Sequence, residues 1–129
     1  MSNNQIVQSK ALPLERIPVI QEDASLKKAL DQMTQHRLGI ALIVDRNFRL
    51  VGVLTDGDLR RLLLSHQSPL PELLVTPAIV FGTREPRVIT ASTSLVQAAQ
   101  IMAEKEIWDL PVIDDSGLLI GLVHRHDLN

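Results

Sequence analysis

Leu26, Ala29, Leu30 and Met33 recur at spacings of three and four, with lysine, aspartate and glutamine between them. That stripe predicts an amphipathic helix. A second stripe of the same kind runs through Leu95, Ala98, Ala99 and Met102, and Ser25 and Ser94 stand where an N-cap belongs. Upstream of each helix, "PVIQEDASL" and "RVITASTSL" read as short β entries. Downstream, "IALIVDRNFRLVGVL" and "LPVIDDSGLLIGLV" are paired apolar runs split by a polar turn, the pattern of a hairpin. "DLRRLLLSHQ" then begins another helix, whereas the second half stops at "HDLN".

The two halves are copies. Residues 17–59 laid over 86–128 at a constant offset of 69 give 11 identities in 43 positions, where chance gives about two or three. Among them are Val19/Val88, Ile20/Ile89, Met33/Met102, Asp45/Asp114, Gly52/Gly121 and Asp58/Asp127. The order per copy is β-α-β-β-α, which predicts an α+β fold of two repeats, 12–66 and 86–129, the second lacking its final helix. Residues 67–85 hold three of the seven prolines, with a fourth at Pro86, and read as a connector in which "PELLV" forms a helical turn. Each copy is too small to bury its own faces, so the two should pack together with pseudo-two-fold symmetry.

Composition narrows the function. Hydrophobic residues make up 45% of the 129, enough for a core, and that core is aliphatic because Phe48, Phe81 and Trp108 are the only aromatics. A net charge of −2 gives no basic face for nucleic acid. There is no cysteine, and no apolar run approaches a membrane span. The start "MSNNQIVQSK" lacks the apolar stretch of a secretion signal, which places the protein in the cytoplasm.

The duplicated element order, "LPVID" followed by "GLLIGLV", and the glycine-hydrophobic-x-Thr-x-x-Asp signature in "GVLTDGD" resemble a tandem pair of CBS domains, a Bateman module. The resemblance covers about Ile17 to Asn129. "VDRNFRLVGVLTDGDLRR" and "HRHDL" are similar to pairs attached to sugar-phosphate isomerases of the arabinose-5-phosphate isomerase type, and to those preceding sugar nucleotidyltransferase domains. If Met1 is the native start, an N-terminal module fits the nucleotidyltransferase arrangement better. The resemblance implies a regulatory module that binds AMP, ADP, ATP or a related nucleotide in clefts between the copies. It further implies a homodimer and an attached carbohydrate-metabolism enzyme.

Thr55 and Asp58 carry two compatible readings. A threonine followed three residues later by an acid is a capping box, and an acid suits a helix start. The same place suits a nucleotide, since amides and a hydroxyl can meet phosphate and a carboxylate can accept from a ribose diol. By resemblance, Thr55 faces phosphate or ribose and Asp58 the diol. His124 replaces the threonine in the second copy while Asp127 remains, which predicts two unequal sites.

The base is expected along Leu38, Gly39, Ile40 and Ala41 in the first copy and along Ile107, Trp108, Asp109 and Leu110 in the second. Val19, Ile20, Val88 and Ile89 complete the walls. Trp108 reads as core filler or contact residue as well as a base-stacking group. Arg84, Arg87 and Arg125 are candidate phosphate partners, while Arg60 and Arg61 read as exposed helix residues.

Three rivals remain. His124, His126 and Asp127 supply metal-ligand types, but no further ligand stands at a familiar spacing, so no metal is expected. Catalysis has no cysteine nucleophile, no Gly-x-Ser-x-Gly elbow and no phosphate-loop lysine motif to rest on. A structural dimerisation module with degenerate ligand sites is the alternative to a nucleotide sensor.

Overall fold

The computed structural model describes residues 5–128. Met1, on which the chain-order argument rests, and Asn129, the end of the second repeat, lie outside them. The chain forms two compact units, one running from Ile17 to Pro86, the other joining the residues up to Arg16 to those from Arg87 onward. Both are mixed α and β.

In the first unit, β1 (Val19–Gln21) leads to α1 (Leu26–His36), then to β2 (Ile40–Val44), β3 (Leu50–Thr55) and α2 (Asp56–Ser65). After these come α3 (Leu70–Val75) and β4 (Thr83–Arg84). The sheet order is β1-β2-β3-β4, with β1 parallel to β2 and the remaining pairs antiparallel. The second unit repeats the plan with β5 (Ile89–Thr90), α4 (Leu95–Lys105), β6 (Asp109–Ile113) and β7 (Leu119–His124) in the order β5-β6-β7. A 3-10 turn at Arg125–Leu128 stands where α2 stands in the first unit.

The repeat persists in local detail. The Ser25 hydroxyl accepts from the Lys28 amide at 3.1 Å and Ser94 from the Gln97 amide at 3.0 Å, so both serines cap their helices. Each helix ends on a left-handed residue, Arg37 at φ 57° and Glu106 at φ 55°. In each hairpin turn one carboxylate oxygen takes two backbone amides: Asp45 those of Asn47 and Arg49, Asp114 those of Ser116 and Leu118. The bulge falls at equivalent places, between Ile43 and Val44 and between Val112 and Ile113.

The cores are aliphatic. Leu26, Ala29 and Met33 of α1 pack with Ile20, Ala41, Ile43, Leu54 and Leu62. In α4 the buried stripe is Ala98, Ile101 and Met102, joined by Ile89, Leu110, Val112 and Val123. Ala99 is exposed rather than buried. Positions 101 and 102 lie three and four beyond Ala98, so the larger isoleucine takes the place on the buried face.

An equivalence invisible in the sequence lies outside the 43 aligned positions. In the first unit the chain after α3 makes a 3-10 turn at Ala78–Val80 and pairs along β3 as β4. In the second, residues 7–9 make the same turn and Leu12 bridges Leu122 of β7. The Leu26 amide donates to the Thr76 carbonyl at 2.8 Å, and the Leu95 amide to that of Gln5 at 3.0 Å. Gly52 and Gly121 make room for these arms: a Cβ would stand 3.0 Å from the Thr83 carbonyl oxygen in one case and 2.8 Å from that of Leu12 in the other. The arm preceding each copy in sequence thus completes the other copy's unit. Residues 67–85 accordingly hold Leu73, Ala78 and Ile79 in the first core.

Candidate functional site

Thr55 ends β3 and caps α2. Its hydroxyl accepts from the Asp58 amide at 3.2 Å, and Asp58 Oδ2 accepts from the Thr55 amide at 2.9 Å, a complete capping box. The Asp56 amide donates to the Gly39 carbonyl at 3.0 Å. Three amides at this helix start are therefore already committed within the chain. The Thr55 hydroxyl proton and the remaining lone pairs of Asp58 are chemically able to meet a diol.

Asp58 is only 8% exposed, yet its Oδ1 accepts from Arg61 Nη2 at 2.6 Å. Arg61 is an exposed helix residue, as its sequence context suggests, and it also pairs with Asp58. The i,i+3 spacing from Asp58 is the signal that could have found it. Arg61 and Asp58 line a groove with Leu62, Ser65, His66, Val80 and Phe81, where the His66 ring meets Phe81 edge-on at 5.7 Å.

The second copy keeps the backbone plan and changes the chemistry. Asp127 Oδ2 accepts from the His124 amide at 3.2 Å, as Asp58 does from Thr55. The threonine's acceptor role passes to His124 Nδ1, which takes the His126 amide at 3.1 Å. In a neutral His124 the ring proton then sits on Nε2 and is available as a donor. The Arg125 amide donates to the Trp108 carbonyl at 2.7 Å, the counterpart of Asp56 to Gly39.

Side chains at that counterpart position differ most. In the first copy the Asp56 carboxylate lies over Gly39, so closely that a Cβ there would stand 2.5 Å from Oδ2. In the second, the Arg125 guanidinium lies 4.9 Å from the Trp108 ring centroid. His124 and His126 stack at 4.8 Å and 11°, with the tryptophan 6.5 and 5.9 Å from them. Trp108 is 54% exposed, which removes the core-filler reading. An acidic surface over glycine has become a cationic surface over an aromatic ring.

The remaining expected base contacts divide by burial. Ile20, Ala41, Ile89 and Leu110 belong to the cores and Ile40 is 2% exposed, so these offer a ligand little beyond backbone. Val19, Leu38, Gly39, Val88, Ile107 and Asp109 are partly exposed. Arg84 is exposed on β4, opposite Gly52, and Arg87 is exposed just before β5. Among the described residues no cluster could hold a metal ion, and no helix is long and apolar enough to cross a membrane.

Comparison with known proteins completes the picture. The CBS domain family profile matches residues 10–65 and 80–129. An arabinose 5-phosphate isomerase, KdsD of Yersinia pestis, is 35% identical over 116 residues, 87% of this chain and 33% of that protein. The uncharacterized protein RP505 of Rickettsia prowazekii is 33% identical over 114 residues, 88% of this chain and 34% of its own. The chain therefore spans about a third of the length of these relatives. Among solved structures, CBSX2 in complex with AMP superposes with a TM-score of 0.84 at 28% identity, covering 96% of this chain and 92% of that one. The two matched segments, one in each repeat, identify the chain as a member of the CBS domain family, a tandem CBS pair.

Proposed function

We propose that this CBS pair is a ligand-sensing module that binds AMP, ADP, ATP or a related nucleotide and regulates an attached or partner enzyme of carbohydrate metabolism. The observation that carries the reading is the Thr55–Asp58 box. It presents an ordered, nearly buried carboxylate beside a hydroxyl, with the Arg61 guanidinium on the same carboxylate. Asp58 accepts the ribose hydroxyls, Thr55 donates its hydroxyl proton, and Arg61 supplies charge toward phosphate. The AMP complex of CBSX2 and the isomerase relative support the ligand class and the kind of enzyme. A cytoplasmic homodimer belongs to the same reading and rests on the resemblance.

A nucleotide regulates only by binding one arrangement of the module more tightly than another. The test is isothermal titration calorimetry with AMP, ADP and ATP on the wild type, Asp58→Asn and Asp127→Asn. Asp58→Asn keeps an acceptor for the Thr55 amide, so it should fold, and it should weaken binding at least tenfold. Asp127→Asn should weaken it less, because the cationic, aromatic surface of the second copy does not reproduce the first. Absence of binding by all three nucleotides would sink the reading. The replacement of threonine by His124 favours the alternative, a dimerisation module with degenerate sites, for the second copy specifically.

A further inference from the structure

The two arms share a backbone path but not their side chains, and one difference bears on the space beside the aligned glycines. In the first unit Ile79, 7% exposed, runs its side chain against Gly52, with Cδ1 3.4 Å from where a Cβ would stand. The equivalent residue of the second unit is Gln8, which is exposed. Only the small Ala11 side chain comes near Gly121 in its place. Beside Gly121, where no isoleucine stands as Ile79 does beside Gly52, lies a cavity of about 300 Å³. Ala11 and Leu12 form its arm wall, Val112 and Ile120 its sheet wall, Ala91 stands in the turn after β5, and the exposed Gln8 also lines it. No charged group lines it. It lies toward the start of β7, whereas His124 and Asp127 stand at and beyond that strand's other end.

We propose that this cavity is a second binding site, independent of the nucleotide reading, for a small neutral molecule with a branched aliphatic body and one polar head. The occupant's shape is given by the protein itself, since the equivalent space holds the branched side chain of isoleucine. The head is given by the Gln8 amide, the one polar side chain lining the cavity, which can both donate and accept. A ligand here touches arm and sheet together and so fastens residues 8–13 onto β7. Those two segments are otherwise joined by the Leu12 and Leu122 amides donating to each other's carbonyls, at 2.7 and 3.1 Å.

The probe is 3-methyl-1-butanol, titrated into the full chain and followed by methyl-resolved NMR, with glycerol as the polar control. Saturable shifts are expected at the methyls of Ala11, Ala91, Val112 and Ile120, together with slower hydrogen exchange at the Leu12 and Leu122 amides. Gln8→Ile should abolish both by supplying the side chain that Ile79 supplies in the other copy. Should Gln8→Ile fail to fold, Ala91→Leu closes the cavity from the turn after β5. Non-saturable shifts in the wild type, equal shifts with glycerol, or shifts that survive the filling substitution would each overturn the proposal.

Discussion

Ser25, Ser94, Asp45 and Asp114 show how much of a repeat rests on single polar side chains at ends and turns. Each satisfies backbone amides that the chain geometry would otherwise leave open. Ser94→Ala should cost about 1 kcal/mol in urea unfolding, with no change in the denaturant slope. Gly117, at φ 84°, occupies a backbone region that a Cβ disfavours, so Gly117→Ala should cost about 1–2 kcal/mol by the same measurement. Phe48 holds the aligned turn position of the first copy at φ 65°, which carries such a cost already. Arg61→Ala is different in kind. Arg61 is 68% exposed on its side chain, so losing the pair with Asp58 should lower stability by no more than about 1 kcal/mol, and less in high salt.

Helices and hairpins were legible because their determinants are local: a cap, a stripe at helical spacing, an alternating run, an aspartate at the turn. The hairpins and α1 fall where the pattern puts them, and on α4 the buried place expected of Ala99 goes to Ile101, two positions on, because the larger apolar side chain gains more from burial. The arms were not legible. Leu12 and Thr83 occupy equivalent places beside the aligned glycines Gly121 and Gly52, but 83 minus 12 is 71, whereas 121 minus 52 is 69. A fixed-offset comparison cannot align them, and their pairing is made by backbone, which leaves no trace in residue type. The candidate site was legible where the motif was, at Thr55 and Asp58. The Asp58–Arg61 pair had a signal in its i,i+3 spacing, whereas the His124–His126 stack has none in the sequence. Gly82 gives the arm an experimental handle, since a Cβ there would run into the Val53 carbonyl oxygen. Gly82→Ala should detach β4 from β3, read as faster hydrogen exchange at Val53 and Thr83 while β6 and β7 keep their protection.

Taken as a whole molecule, the protein has one unit made from a continuous stretch and one made from two separated pieces. Val7, fully buried, sits in the core of the latter with Ile89, Ala98 and Leu110. Val7→Ala should cost about 2 kcal/mol and should raise hydrogen exchange in residues 87–128, leaving residues 17–86 close to wild type. This division also sets a sequence of events on the ribosome. The first unit can close as soon as Pro86 has emerged, since all its strands are then present. The arm that carries Val7 and Leu12 is made before either sheet and must wait through the synthesis of residues 17–86 and then of its own sheet, several seconds at about 5–20 residues per second. Throughout that interval the Leu12 amide and carbonyl lack the Leu122 partner that later satisfies both.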